Sequence, residues 1–415
     1  MRILLVSQYF WPENFGINAL AIALRKRGVA VSVLTGKPNY PDGVVFGNYS
    51  AWGCGSEDWN GIKISRIPIF PRGKRSALRL ALNYISFIVA GLIFGSWKLR
   101  GQQFDAIFVY APSPILQALP ALWLARQKRA PLALWVQDLW PQSLEATGFV
   151  KNRGLLDSVA RVVRFIYRHT DRILVPSEGF RSPIAALVDN PEKIHFYPNA
   201  WIEPSDLETF ESAVDALCEE ISEGFSVVFA GNLGTAQALD VILDAAAIVK
   251  NTDVNIRIFL IGSGSLSDWL AAEITRRELF NVVLPGRFPP EAMTRLYAAA
   301  SALLVTLRDE PIFALTIPSK VQSYLAAGRP VIASLNGEGA RVITEAGAGL
   351  VCPAGNAVAL AAALFEMRSM EAERREKMAE NARKYAIENF SLDSLTNELL
   401  AHLEDLEVNH GRKSL

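Results

Sequence analysis

The stretch 227–246, "VVFAGNLGTAQALDVILDAA", decides how this chain is read. Its apolar start reads as the end of a β-strand, Gly231 and Gly234 as a sharp turn around Asn232 and Leu233, and Leu239, Ile242, Leu243 and Ala246 as one face of a helix. Glycine at such a turn lets the backbone bend tightly and approach a ligand closely. Free amides at a helix start, together with the helix dipole, attract an anion. The turn is a candidate phosphate cradle, although an ordinary strand-to-helix turn accounts equally well for the stretch taken alone. It is not a G-x-G-x-x-G fingerprint, and no G-x-x-x-x-G-K-[ST] loop occurs in the chain, so dinucleotide dehydrogenases and P-loop enzymes lose ground.

The same rhythm runs outward in both directions. Before the stretch, "ILLVSQYF", "VAVSVLTG", "GIKISRIPIF", "FDAIFVYAP", "LALWVQD", "RILVPS" and "IHFYPN" read as strands alternating with amphipathic segments. After it come "IRIFLIGSG", "NVVLPGRF", "ALLVTLR", "PVIASLNG" and "GLVCPAG", each followed by a helical stretch. Such alternation predicts α/β units with parallel sheets covered on both faces. An acidic segment broken by Pro198 and Pro204 separates the two series. It divides the chain into doubly wound domains at 1–203 and 204–390, with a helix and tail at 391–415 that return to the N-terminal domain. Two such domains facing each other would put a cleft at the carboxyl ends of their strands, where these sheets bind ligands.

Composition agrees. The chain has 415 residues, half of them hydrophobic, and a formal net charge of zero, which suits folded domains and gives no overall basic footprint for nucleic acid. Its three scattered cysteines show no metal-ligand spacing and fit a reducing compartment. The start, "MRILLVSQYFWPEN", reads as a first strand and not as a signal peptide. The expected location is cytoplasmic, peripheral on the inner face of the cytoplasmic membrane.

Further turns follow in order: Gly262 and Gly264 in "LIGSGSL", Gly286 and Arg287 in "LPGRF", and then "IPSKVQSYLAAGRPVIASLNGEGAR". Together with "YFWPENFGINALAIALRKRG" and "WVQDLWPQSLEATGFV", these stretches resemble the retaining glycosyltransferases of family-4 type, with their two-domain GT-B fold. Within that group the chain is most similar to the colanic-acid and exopolysaccharide subgroup, to which fucose transfer is ascribed. The resemblance implies a nucleotide-diphosphate sugar, GDP- or UDP-linked, held mainly by the C-terminal domain. It also implies no obligatory metal and no cofactor beyond the substrate. A sugar-nucleotide epimerase of the same fold and a non-catalytic binding partner in a polysaccharide assembly complex are the alternatives.

The chain departs from this family where charge matters. Family members commonly carry Arg and Lys in the turn, where Asn232 and Gln237 stand here. Two family glutamates around the ribose match Leu315 and Ser323. Lys320 is then the first candidate to neutralise the diphosphate, aided by amides near Gly234 and Gly16 and by Arg287 or Arg308. A solvent-facing lysine at a helix start is the plain alternative. Ser319 or Ser323 would bond the ribose, and Glu338 would bond a sugar hydroxyl or cap its own helix. The family's N-terminal histidine position is occupied by Gln137, followed by Asp138. Gln137 can donate a hydrogen bond, and Asp138 can orient or deprotonate an acceptor, or simply cap the next helix.

From Trp59 to Phe104 there is no acidic residue, while Lys63, Arg66, Arg72, Lys74, Arg75, Arg79, Lys98 and Arg100 all fall there. The uncharged run between Arg79 and Lys98 would extend about 27 Å as a helix. A bilayer span would separate strands that belong to one sheet. The choice lies between a core helix and one lying in an interface, with residues 72–100 on anionic headgroups. The interface reading implies a lipid-linked saccharide acceptor.

Overall fold

The computed structural model describes residues 1–73, 77–146, 152–202, 211–252 and 255–413. Its two compact units are Met1–Pro198 with Leu392–Leu415, and Asn199–Ser391. The sequence reading had placed the division at 203/204, which, like Pro204, lies outside the described residues.

The N-terminal unit is built on strands β1 (Arg2–Val6), β2 (Ala30–Thr35), β3 (Gly55–Trp59), β4 (Ile62–Arg66), β5 (Ala106–Ala111), β6 (Leu132–Val136), β7 (Arg172–Val175) and β8 (Ile194–Phe196). They form one sheet in the order β3-β4-β2-β1-β5-β6-β7-β8, parallel except for the antiparallel β3–β4 pair. Strands β5 and β6 are buried along their whole length, because helices cover both faces and leave no solvated side to alternate. Helices α1 (Gly16–Lys26), α2 (Ala77–Lys98) and α3 (Ala118–Lys128) pack against this sheet or one another. Helix Leu392–Lys413 also belongs here: Arg27 pairs with Asp393, and Arg172 donates to Asp405 at 2.5 Å.

The second unit restarts with β9 (Phe225–Asn232), β10 (Ile256–Ser263), β11 (Val282–Gly286), β12 (Ala302–Thr306), β13 (Val331–Ser334) and β14 (Gly349–Cys352). Their order is β11-β10-β9-β12-β13-β14, every pair parallel. Val227, Phe229, Ile258, Leu260, Leu304 and Ile332 pack with Ile242, Leu243 and Leu364 into its core. Both sheets are doubly wound, with the strand order reversing between β1 and β5 and between β9 and β12. Ligands of such sheets bind at the carboxyl ends of the strands at that reversal. The turn after β9 stands at this point.

Helix α2 is buried along one face only. It links β4 to β5, which lie in the same sheet, so it does not cross a bilayer. Nor is it a core helix. Asn83, Phe87, Ala90, Gly91 and Gly95 face inward, whereas Leu78, Leu82, Ile85, Val89, Ile93 and Trp97 are exposed. Gly91 allows close contact with α3, since a Cβ there would stand 2.7 Å from the Pro120 ring. One cation of the acid-free span is not available to a surface at all: Arg66 is buried, paired with Glu57 and bonded to the Gly36 carbonyl. Lys74 and Arg75 lie outside the described residues.

Candidate functional site

In the C-terminal unit the strand-end turns after β9 and β10 are interlocked. Leu233 N–H donates to the Ser263 carbonyl at 3.0 Å, and Leu266 N–H returns to the Leu233 carbonyl at 3.0 Å. This approach requires glycine. Gly262 has φ +146°, and a Cβ on it would lie 1.9 Å from the Gly231 carbonyl oxygen; one on Gly264 would lie 2.3 Å from that of Leu233. Gly262 and Gly264 thus have a packing reason that is independent of any ligand. Gly231 (φ +138°) and Asn232 are left exposed, while Leu233 is driven into the core and Gly234 is buried.

After Gly234 a short 3-10 turn, Thr235–Gln237, leads into helix Leu239–Lys250. Arg308, from the loop after β12, fixes this turn: its N–H bonds the Ala236 carbonyl and its Nε the Thr235 carbonyl at 2.6 Å. Lys320 enters from helix Ser319–Ala327. Its ammonium donates to Gln237 Oε1 at 2.6 Å, lies 3.6 Å from the centroid of the Phe229 ring, and would be 3.5 Å from a Cβ on Gly231. The solvent-facing reading of Lys320 is therefore wrong: the cation that the turn lacks in its own sequence is delivered by another helix. Burial lowers its pKa to about 7, since neither a neutral amide nor a ring face replaces water or a counter-anion.

That shift has a measurable consequence. An anion bound at the turn would restore the ammonium, so binding takes up a proton at any pH between about 7 and the pKa of the complex. Nucleotide affinity should fall as pH rises above 7, by up to about tenfold per unit. Calorimetry in buffers of different ionisation heat reads the proton uptake directly. A dissociation constant unchanged from pH 6.5 to 8.5 would show that Lys320 does not meet the anion.

The remaining donor candidates are dispersed. Ser319 is exposed and Ser323 partly buried, one turn further along the Lys320 helix. Arg287 is exposed beyond β11, the edge strand, two strands from β9. Glu338 opens helix Glu338–Glu345 and is ion-paired with Arg341 at 2.8 Å, so its charge is matched within its own helix. Gly16 begins α1 in the N-terminal unit.

In that unit the reversal point holds a buried polar network that sequence reasoning missed. Gln8, just beyond β1, donates its N–H to Gln117 Oε1 at 2.7 Å and its Nε2 to Asn83 Oδ1 of α2 at 2.6 Å. Asn83 Nδ2 in turn bonds the Phe70 carbonyl at 2.7 Å. Glu13 accepts the N–H groups of Phe10, Asn39 and Tyr40, tying the loops after β1 and β2 together. Burial pushes its carboxyl up to about 7, against the pull of those three donors. The only hint in the sequence was amide side chains directly following apolar runs.

Beyond β6, Gln137 N–H bonds the Ala111 carbonyl and its Nε2 is buried without a partner among the described residues. Asp138 Oδ2 accepts the Trp140 indole N–H at 3.2 Å, and the Ser113 and Ser143 side chains and the Leu139 amide lie near the carboxyl. Burial raises its pKa despite these donors. Asp138 is not the cap of the following helix, which begins only at Gln142.

Two doubly wound units, one carrying a glycine turn met by a desolvated ammonium and the other a buried carboxyl, make the fold that the sequence resemblance implies. Comparison with known proteins agrees. Residues 15–200 match the glycosyl transferase 4-like domain, and residues 219–385 match the glycosyl transferases group 1. The "Probable glycosyltransferase WbjE" of Pseudomonas aeruginosa is 30% identical over 316 residues, covering 73% of this chain and 75% of that protein. WcaI of Escherichia coli (strain K12), a glycosyl transferase named for colanic acid biosynthesis, is 24% identical over 347 residues, covering 79% and 82%. Anabaena Alr3699/HepE, solved in complex with UDP, superposes with a TM-score of 0.70 at 16% identity over 98% of this chain and all of that one. The chain belongs to the family-4 type of glycosyltransferases with the GT-B fold.

Proposed function

We infer that the protein is a retaining glycosyltransferase that moves a sugar from a nucleotide-diphosphate donor to a lipid-linked or polysaccharide acceptor in bacterial exopolysaccharide assembly. Lys320 at the Gly231–Gln237 turn is the observation that carries this reading: a desolvated ammonium with no carboxylate paired to it among the described residues suits a diphosphate. Charge grows on the leaving diphosphate as the glycosidic bond breaks, and donors fixed in advance for that charge are the usual dominant catalytic term. HepE, which shares the fold, is solved with UDP and with UDP-glucose. The likeness to WcaI favours a colanic-acid-like polymer, with GDP-fucose as the first donor to try and a UDP-sugar as the second.

Turnover on a panel of nucleotide sugars, with a lipid extract as acceptor, tests this. Released nucleotide coupled to labelled acceptor supports transfer. An epimerised donor, or binding without turnover, would replace the reading with one of its rivals.

The outward row of α2 supports a peripheral seat on the cytoplasmic face of the membrane. Seven large apolar side chains from Leu78 to Trp97 are exposed, and Trp123 of α3 joins them through its indole bond to Ser96. Lys98 and the exposed Arg100 follow at the helix end, placed for anionic headgroups. Replacing Ile85 and Ile93 together by Asp should weaken binding to vesicles of phosphatidylglycerol and phosphatidylcholine by at least about tenfold, since each isoleucine contributes appreciable apolar burial. Cosedimentation equal to wild type would remove the membrane seat and leave the donor assignment untouched.

A further inference from the structure

Arg72 lies between β4 and α2, in a segment clamped to the loop after β2. Its N–H bonds Asn39 Oδ1 at 3.1 Å, and the Gly73 N–H bonds the Gly43 carbonyl at 2.8 Å. Asn39 is fully buried and also accepts Asn83 Nδ2 of α2 at 3.3 Å. The two segments approach so closely that glycine is required: Gly43 has φ +74°, and a Cβ on it would stand 2.1 Å from the Gly73 carbonyl oxygen. This clamp lays the Arg72 guanidinium over the Tyr40 ring, 5.3 Å from its centroid. Tyr40 in turn meets Phe15 at 5.1 Å and Tyr9 at 5.7 Å between centroids, and those two rings stack at 5.4 Å. Burial raises the phenols of Tyr9 and Tyr84, and the Arg72 charge opposes that rise in both. The rings come from the loops after β1 and β2 and from α2, at the carboxyl ends of the strands, where such sheets bind ligands.

Arg72 is half-buried, yet no carboxylate pairs with it among the described residues. Arg66, buried in the same acid-free span, has Glu57 as its partner. Glu13, the acid of the adjoining loop, is turned onto three backbone N–H groups instead. A guanidinium is weakly hydrated, stacks on aromatic faces, and presents a planar fork that matches phosphate oxygens. Fixed in place without a counter-ion, it is arranged for an anion from outside the chain. Helix α2 begins at Ala77, so its exposed apolar row from Leu78 starts close in the chain to this cation. An apolar row, a cation and a group of rings suit a ligand that joins a lipid, a phosphate and a sugar in series.

We propose that Arg72, held over Tyr40, binds the diphosphate of a lipid-linked saccharide acceptor. This deepens the transferase reading and rests on it. It commits the acceptor to a lipid diphosphate in place of a free polysaccharide. It also gives Arg72 to the substrate, whereas Lys98 and Arg100, at the other end of α2, serve the headgroups.

Farnesyl diphosphate is a soluble probe for this site, with GDP and UDP in excess to occupy the donor turn. Calorimetry should show binding to the wild-type chain and an affinity about ten- to a hundredfold lower in Arg72→Gln, the range for hydrogen bonds to a charged group. Arg72→Lys keeps the charge and loses the fork, and should fall between the two. Cosedimentation of Arg72→Gln with phosphatidylglycerol vesicles should equal wild type. A wild-type chain that does not bind the probe, or equal affinities in wild type and Arg72→Gln, would overturn the proposal. So would a parallel loss of vesicle binding, which would make headgroup phosphate the ligand. None of these measurements reads turnover, so failure of this assignment is separate from failure of the transferase reading on the nucleotide-sugar panel.

Discussion

Lys320→Met should reduce kcat/KM for the sugar donor by on the order of 10²–10³-fold, the range found when one fixed donor to developing charge is removed. Methionine keeps an apolar stem over Phe229 and deletes only the ammonium, so the loss would report charge and not packing. The same substitution should stabilise the free protein at neutral and acidic pH. A lysine whose pKa falls from 10.5 to about 7 on folding binds fewer protons folded than unfolded in that window. Its presence makes stability rise as pH climbs from 7 to 10.5, and below 7 the fold carries the full cost of a desolvated charge. A higher melting temperature at pH 6.5 together with lost turnover is the signature of a group strained for function. A variant that loses stability and keeps activity would show that Lys320 is part of the scaffold.

Asp138→Asn should lower transfer by about 10²-fold while donor affinity stays at the wild-type level, because general base catalysis is worth 10²–10⁴-fold and an amide cannot take the proton. The amide keeps the shape of the side chain and can still accept the Trp140 bond, so the fold is retained. The competing chemistry is that the leaving diphosphate itself collects the acceptor's proton. In that case Asp138 only orients the hydroxyl, and the loss is about tenfold or less with no change in the pH profile. Single-turnover rates measured across pH with both donor and acceptor saturating distinguish the two outcomes. Gln137 has a different expected effect. A neutral amide that binds but does not titrate would change the KM for acceptor and leave the pH profile in place.

Why some of this was legible in advance follows from particular elements. The strand runs 3–6, 132–136 and 302–305 are continuously apolar because both faces of their sheets are covered, and a run of that kind is readable without any partner. Strand β3, "GSEDW", escaped notice because it is an exposed antiparallel edge paired only with β4, and its residues carry no apolar period. Asp138 could be located because it directly follows a readable strand. The packing of Tyr84 against Trp140, whose indole bonds Asp138, could not, since Tyr84 comes from α2 and its approach depends on how that helix packs. Arg66 looked like a surface cation for the same reason. Only the fold shows that Glu57 meets it across the β3–β4 hairpin.

The order of apolar runs and glycine turns alone determined two doubly wound α/β units and put a candidate anion-binding turn at Gly231, because hydrophobic period and backbone freedom act over a few residues. Tertiary structure alone decided what answers the charge there. The ammonium of Lys320 reaches Gln237 across 83 residues of sequence, and it is desolvated there by Phe229 from a buried strand. Such a pairing depends on distances through space, and a linear pattern carries no record of those.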